Sequence, residues 1–387
     1  MTQASTPTIS SRQKRVLFVV HAYHNRGGVE AHTKALEAGL GPEFQVGVVF
    51  PHQGGICFKT GVQETLLPAD PPQWPVTPYE APRTAASLAQ VLAMFSPHVV
   101  HVQHFLHWHL GLLDQLALTG VPVLLSFHEY YAITPFFTME HATNPLETFT
   151  VEYSRKVFGK DITPYLLQRK EVLHRSFAKV ALKITPSEYL ANTLQQVYPG
   201  TYRVMPHGIE PFEPLPRIAR SNEELRFGYL GTLIPQKGWP SLCHAFALVR
   251  QRHPKVELHL HGGGTAPEGT ADGMYFHGVY DAQDLPAILS QIDVGVIPSV
   301  FRETFSYVLS ELWQGRTPVA AADIGALGER VRTEGGGKLF VPGSIESIAE
   351  TLSWFVEQSA WRTWALPTPR TLEAMLADYR ELYADYH

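Results

Sequence analysis

The segment IPSVFRETFSYVLSELWQGRTPV carries two carboxylates, Glu303 and Glu311, with seven residues between them. Glu303 falls in a loop after an apolar run that reads as a buried strand. Phe305 begins an amphipathic helix, with Glu311 two turns in. Eight residues on a helix span about 12 Å, roughly the separation of two sugar rings joined through a diphosphate. Each carboxylate can accept two hydrogen bonds, and a vicinal diol supplies two donors. The helix N-terminus between them offers free N–H groups and a partial positive charge to an anion. Taken alone, Glu311 reads as a surface glutamate, although it does not lie squarely opposite the core stripe of Val308, Leu309, Leu312 and Trp313.

Two further strand-to-helix loops have anion chemistry. In YLGTLIPQKGW, Gly231 marks the turn and Lys237–Gly238 the next helix start. A lysine there suits phosphate oxygens, or is simply solvated. In HAYHNRGGVEAH, Gly27 and Gly28 precede a helix from Val29. They allow close approach of backbone to a ligand, or only a tight turn. The dinucleotide fingerprint is excluded, because no GxGxxG is present and the second strand ends in Phe50–Pro51 rather than an acid.

These loops need strands and helices to hold them. Val16–Val20, Gln45–Phe50, His98–Val102, Val121–Phe127, Val180–Thr185 and Tyr202–Met205 read as buried strands. Val29–Leu40, Thr84–Phe95, Leu106–Leu118, Thr163–Lys179 and Glu188–Val197 read as the helices between them. The alternation predicts a parallel sheet covered on both faces. The proline-marked stretch GIEPFEPLPRIARSNEE breaks the pattern and reads as a linker. Strands at Leu225–Leu230, Val256–His261, Val294–Pro298 and Pro318–Ala321 then alternate with helices at Trp239–Arg252, Leu285–Gln291, Phe305–Gln314 and Ile345–Val356. The fold class is therefore α/β, with two doubly wound domains joined near residue 215. Residues 68–82 read as an irregular loop. A last amphipathic helix, Arg370–Tyr386, must bury its stripe against a neighbour.

Length and composition agree. A chain of 387 residues suits two large α/β units. The net charge of −5 excludes a dedicated nucleic-acid binder, which needs a basic field. Cys57 and Cys243 stand far apart, which excludes a disulfide scaffold and suits a reducing compartment. The first fifteen residues are polar and the apolar run after them is too short for a membrane helix. The expected location is cytoplasmic, or peripheral at the inner membrane face.

The ordered set of motifs resembles the retaining GT-B glycosyltransferases, and within them glycosyltransferase family 4. The resemblance rests on Gly27-Gly28-Val29-Glu30, His98-Val99-Val100-His101, Ser126-Phe127-His128-Glu129, Thr185-Pro186-Ser187 and Met205-Pro206-His207-Gly208-Ile209-Glu210. It continues through Gly231, Lys237-Gly238, Gly262-Gly263-Gly264, Pro298-Ser299, the Glu303-x7-Glu311 pair and Gly315-x-x-Pro318-Val319. It implies two Rossmann-like domains facing across a cleft. Residues 1–207 form the acceptor side, together with a crossing helix at 366–387, and residues 208–365 bind the donor. It implies catalytic roles for His128, Lys237 and Glu303. Donor binding falls to Gly27, Gly28, Gly231, Thr232, Lys237, Gly263, Thr304, Phe305, Ser306 and Glu311. In particular, Glu303 holds donor-sugar hydroxyls, Glu311 the ribose diol and Lys237 the diphosphate. No cofactor and no metal are expected, since no Asp-x-Asp motif ends a first-domain strand. The substrate is a nucleoside-diphosphate sugar, UDP- or GDP-linked, and the acceptor a glycan, lipid-linked or small-molecule hydroxyl. A front-face mechanism follows, in which the leaving phosphate takes the acceptor proton.

Several positions depart from the family pattern. Thr232 stands where an arginine is usual, so one cationic phosphate contact is missing or comes from elsewhere, with Arg302 the candidate substitute. Ser306 replaces a glycine, His207 an asparagine and Glu129 an aspartate. His101, His104, His107 and His109 point several ways and lack an acidic partner nearby, so they do not read as a zinc site; His104 is a candidate for the cleft wall, with ordinary packing the alternative. Eight basic side chains between 153 and 183 (Arg155, Lys156, Lys160, Arg169, Lys170, Arg175, Lys179 and Lys183) read as a solvated face or as contact with an anionic membrane surface. The aromatic block 130–153 lines an acceptor pocket or packs in the core. Two alternatives stay open: a non-catalytic GT-B scaffold, and another GT-B nucleotide-sugar enzyme, either an inverting transferase or an epimerase.

Overall fold

The computed structural model describes residues 13–25, 27–218, 224–264 and 272–386. Positions 219–223 of the expected linker and His387 of the terminal segment lie outside the described residues. The first sheet contains β1 (Lys14–Val19), β2 (Phe44–His52), β3 (Gly55–Thr60), β4 (Gln63–Pro68), β5 (Val99–Val102), β6 (Val123–Ser126), β7 (Leu182–Thr185) and β8 (Arg203–Val204), in the order β4-β3-β2-β1-β5-β6-β7-β8. The second contains β9 (Arg226–Leu230), β10 (Glu257–His261), β11 (Met274–Gly278), β12 (Val294–Ile297), β13 (Val319–Ala322) and β14 (Gly337–Phe340), in the order β11-β10-β9-β12-β13-β14. The helices are α1 (Gly28–Gly39), α2 (Pro82–Phe95), α3 (Leu112–Ala117), α4 (Val151–Phe158), α5 (Thr163–Phe177), α6 (Glu188–Gln195), α7 (Trp239–Arg252), α8 (Leu285–Ser290), α9 (Tyr307–Gln314), α10 (Gly325–Glu334), α11 (Ile345–Glu357) and α12 (Leu372–Ala384).

Continuous apolar runs make the central strands because both sheet faces are covered. Val16, Leu17, Phe18 and Val19 of β1 are all fully buried. The second sheet is wholly parallel. The first is mixed, which corrects the expectation of a parallel sheet. β2, β3 and β4 pair antiparallel at its edge. Gln53 and Gly54 both have positive φ (46° and 76°), the two-residue turn that joins antiparallel neighbours. β4 exposes most of its residues, so no apolar pattern announced it.

Other differences have local causes. The helix expected over Leu106–Leu118 shrinks to α3, because His107 takes a left-handed φ of 68°. α9 starts at Tyr307 rather than Phe305, because Ser306 has φ 69°. Glu311 therefore lies just over one turn into the helix. The sequence pattern predicts neither the strands β3, β11 and β14 nor the helices α4 and α10. They are short, and α10 has few apolar residues.

The terminal helix α12 returns to the first sheet. Met375, Leu376, Tyr379, Leu382 and Tyr383 share a buried cluster with Val16, Phe18 and Val20. Arg380 donates to the carbonyls of Gly39 and Leu40 at the end of α1. Ile209, where the chain leaves the first sheet, bridges Thr371, where it comes back. The two crossings between domains thus run side by side.

Candidate active site

In open α/β sheets the binding crevice lies beyond the strand ends where the order reverses. Those points fall between β1 and β5, and between β9 and β12. The loops after β9 and β12 bring Lys237 and Glu303 together, with Nζ 2.8 Å from Oε1. Ser299 donates to the same oxygen at 2.6 Å. Glu303 is buried, which works to raise its carboxyl, but the Lys237 ammonium and the Ser299 hydroxyl outweigh that and hold it below the ordinary carboxylate range. It is an ionised acid with one oxygen committed. Lys237 also stands over the Phe301 ring, 4.8 Å from its centroid.

Glycines set how closely these loops approach. Gly238 has φ 74°, and a Cβ there would lie 1.8 Å from the Pro298 carbonyl oxygen, so only glycine lets the Lys237 loop sit against the end of β12. A Cβ at Gly262 would lie 1.7 Å from the Gly231 carbonyl oxygen. Gly231 and Gly263 hold the neighbouring turns through bonds from Gly231 N to His261 O and from Leu233 N to Gly263 O. Thr232 is exposed and its carbonyl accepts from Tyr229.

The loop 304–306 is held from three sides. Thr304 donates to the His128 carbonyl at 2.6 Å and accepts from Ser187 at 2.7 Å, both across the interdomain boundary. Phe305 is buried against His207 and under the Arg330 guanidinium. Arg330 also donates to the carbonyls of Phe305 and Ser306 and to Ser310. No sequence motif marked Arg330; its role depends on α10 folding over this loop. Ser306 caps α9 without a side-chain cap bond, leaving the first N–H groups of the helix open to a ligand. Its left-handed backbone explains why a glycine is usual at this position.

Glu311 and Lys237 face different spaces. Glu311 lines a cavity of about 430 Å³ with His32, Gly208, Ala282 and Tyr307. Burial without an opposing cation raises its carboxyl to about 7. Lys237 lines a cavity of about 770 Å³ with Gly27, Gly28, Glu30, Glu129 and Phe136. Gly28 lines the larger cavity, and a Cβ there would lie 3.7 Å from the ring of Tyr307, which lines the smaller one.

On the first-domain side, His128 donates from Nε2 to Gln103 Oε1 at 3.0 Å, which leaves Nδ1 as an acceptor. The Gln103 amide reaches His101 Nδ1 at 3.2 Å, and Tyr383 of α12 reaches the same nitrogen at 2.6 Å. A buried chain thus runs from the terminal helix to His128. Burial, and then the neighbouring His32 and His207, hold His128 neutral by driving its pKa well below the usual value. His207 stacks on His128 at 5.4 Å and on Tyr307 at 5.2 Å. Next to this stack, His104 donates from Nε2 to Glu129 at 2.6 Å, because its Nδ1 already accepts from Leu106 N. His104 and Glu129 both line the larger cavity.

Three sequence expectations change here. Arg302 does not replace the missing phosphate contact: its guanidinium donates to the Ala142 and Thr143 carbonyls of the first domain, at 2.8 and 2.9 Å. The basic stretch does not form one face. Arg169 is fully buried and bonds the Tyr131 and Ala132 carbonyls, Lys179 is paired with Asp114, and Lys156 lines the large cavity. The aromatic block divides, with Tyr130 and Tyr131 in the core and Phe136, Phe137 and Tyr153 on the cavity wall. Among the described residues no helix is long and apolar enough to cross a membrane.

Residues 26–211 match the family described as Glycosyltransferase Family 4, and residues 224–358 that described as Glycosyl transferases group 1. The chain is 36% identical over 92 residues to a phosphatidyl-myo-inositol mannosyltransferase of Propionibacterium freudenreichii, spanning 24% of each protein. It is 26% identical over 142 residues to a 2-deoxystreptamine glucosyltransferase of Streptomyces kanamyceticus, spanning 34% of this chain and 36% of that protein. The matches thus span about a quarter to a third of these relatives. In fold it is similar to sucrose-phosphate synthase from Thermosynechococcus elongatus, with TM-score 0.62, 18% identity and 97% and 95% of the two chains covered. It is likewise similar to Anabaena HepE in complex with UDP-glucose, with TM-score 0.59, 16% identity and 96% and 95% covered. With both domains matched and the architecture shared over nearly its whole length, the chain belongs to the GT-B glycosyltransferases of family 4 and group 1 type.

Proposed function

We propose that the protein is a retaining glycosyltransferase that moves a sugar from a nucleoside-diphosphate sugar to a hydroxyl of a glycan, glycolipid or small-molecule acceptor. The observation that carries this reading is the Lys237–Glu303 pair beside the uncapped N-terminus of α9, at the switch point of the second sheet. A cation and free N–H groups suit a diphosphate, and an ionised carboxylate within reach of the same spot suits the hydroxyls of the sugar attached to it. Glu311, in the adjoining cavity, suits the ribose diol. UDP and UDP-glucose in the HepE structures support a uridine nucleotide.

Each step follows from charge. The diphosphate leaves as negative charge builds on its bridging oxygen, and Lys237 and the α9 N–H groups stabilise it. The sugar passes through an oxocarbenium-like centre. Neutral His128, fixed with Nε2–H toward Gln103, presents Nδ1 to accept from a sugar hydroxyl. The leaving phosphate takes the proton of the acceptor hydroxyl, which attacks from the same face, so configuration is retained. Charge stabilisation is assigned to protein groups rather than to a metal. Residues 1–207 with the crossing segment 366–387 take the acceptor side, and residues 208–365 the donor side. Phe136, Phe137 and Tyr153 offer ring faces to an acceptor in the larger cavity.

A panel of UDP- and GDP-sugars assayed for nucleoside-diphosphate release, with the product anomer read by NMR, tests this. Release with a retained anomer is expected. An inverted anomer would reject the front-face mechanism, and no release with any donor would point to a scaffold.

A further inference from the structure

We propose that His259, His261 and His277 form a binding site for a divalent first-row transition metal of the zinc class, on the outer face of β10 and β11 and apart from the donor cleft. One nitrogen from each of the three imidazoles lies within 4.8 Å of the others. His259 Nδ1 is 2.9 Å from His277 Nε2. The His261 and His277 rings stack at 4.2 Å.

The sheet assembles this cluster in two ways. Strand alternation turns Leu258 and Leu260 into the core and sets Glu257, His259 and His261 on the opposite face. Alternation on β11 also puts His277 on this face, two residues after Tyr275, and an irregularity in register sets where it lies. His259 pairs with Tyr275 and Leu260 with Phe276, but His261 pairs with Gly278, so His277 is the extra residue between them. A bulge of this kind re-aims a side chain, and here it sets His277 against both histidines of β10.

The surroundings of His259 match what a metal-bound histidine needs. Its Nε2 lies 3.1 Å from Glu257 Oε2, and Glu257 is in turn held by Arg226. A carboxylate that takes the N–H of one ring nitrogen leaves the other nitrogen as a lone pair. For His259 that lone pair is on Nδ1, the atom facing His277. Two nitrogens bound at about 2.0–2.1 Å in a tetrahedral array lie about 3.3 Å apart, close to the separation found here. His277 would take its Nδ1–H tautomer, and His261 would turn slightly within its stack. His277 is exposed, so an ion can enter from solvent. Three protein nitrogens leave a fourth position for water. Neutral imidazole is a good ligand for zinc, copper and nickel and a poor one for magnesium or calcium.

Such an ion would clasp the edge strand β11 to β10, next to the Gly262–Gly264 turn at the rim of the donor domain. The expectation that the catalytic site itself uses no metal is not affected. The competing explanation is a metal-free cluster in which His277 Nε2–H donates to His259 Nδ1 and the rings contribute only cross-strand packing.

Untagged full-length protein is titrated with Zn²⁺ by calorimetry, and with Co²⁺ by visible absorption. The site predicts one saturable equivalent with a tetrahedral cobalt spectrum. His277→Ala and His259→Ala should each weaken binding about tenfold or more, and Glu257→Gln should weaken it by about tenfold without abolishing it. Circular dichroism checks that the variants fold; His277→Asn, at the exposed position, is the second choice if the alanine variant does not. No saturable uptake at millimolar Zn²⁺, or equal uptake by wild type and by the His259→Ala/His277→Ala double variant, would overturn the proposal.

Discussion

Lys237 Nζ lies 2.8 Å from Glu303 Oε1, so two charges 66 residues apart in sequence neutralise each other at the mouth of the second sheet. Glu303 is almost wholly enclosed, whereas the Lys237 side chain keeps 31% of its exposure. The pair therefore holds one buried charge in place while leaving the other able to turn toward a ligand.

Lys237→Ala should strip the buried carboxylate of its cation and destabilise the fold by about 1–3 kcal/mol. That is below the range for a fully buried pair, because Lys237 is partly solvated. Urea unfolding measures this. Calorimetry should show UDP binding weakened more than uridine binding; equal losses would move the lysine away from the diphosphate. Glu303→Gln should fold and lower kcat/KM about tenfold or more. The pH dependence has a defined sign. The Glu303 carboxyl is held below its ordinary range, so its stabilising contribution is present above that range and is lost as pH falls through the lowered folded value.

Glu311 works in the opposite sense. Burial raises its carboxyl from about 4.5 to about 7. Between those values the unfolded chain ionises while the folded one stays protonated, so wild type should lose stability relative to Glu311→Gln as pH rises through that window. The ceiling is about 3 kcal/mol at roughly 1.4 kcal/mol per unit. Melting temperature against pH for both proteins measures it, and parallel curves would reject it. If the ionised carboxylate holds the ribose, nucleotide affinity should rise through pH 7 in wild type and stay flat in the variant.

His128 and His207 stack inside the interdomain boundary with His32 packed edge-on and tilted against them, and burial holds all three neutral. Their folded values lie below the ordinary 6.5, so the stability they support is present above that pH and is lost as pH falls below it. Each can cost up to about 1.4 kcal/mol per pH unit. His207→Asn removes one proton acceptor whose Nδ1 has no partner. Its melting temperature should fall less between pH 7 and pH 5 than that of wild type.

Gln103 is fully buried between His101 and His128 and bonds both. Gln103→Leu keeps the volume and frees the His128 ring to turn. A stability loss of about 1–3 kcal/mol is expected, with kcat about 10- to 100-fold lower and KM for the donor nearly unchanged. If KM rises while kcat holds, His128 is only a wall of the donor pocket.

Local pattern determined much of this protein. Continuous apolar runs such as Val16–Val20, glycines before helices, and the stripe Met375, Leu376, Tyr379, Leu382 and Tyr383 each report their own burial, since period and chain flexibility are properties of neighbouring residues. The alternating elements, the break near residue 215 and the candidate positions Gly28, Lys237, Glu303 and Glu311 could be read that way. Elements with weak pattern could not: β4 is exposed, β11 and β14 sit near sheet edges, and α10 has few apolar residues. Tertiary structure alone decided which charges meet and which are stranded. Arg302 and Arg169 looked free for anions, yet both spend their guanidinium groups on backbone carbonyls. Lys237 finds Glu303, while Glu311 is buried without a cation and titrates high. The His128 cluster joins residues that sequence keeps far apart, and the His259 cluster joins two residues of β10 to one of the neighbouring β11. Charge pairing and desolvation depend on distance and enclosure in space, and the order of residues along the chain specifies neither until the sheets have formed.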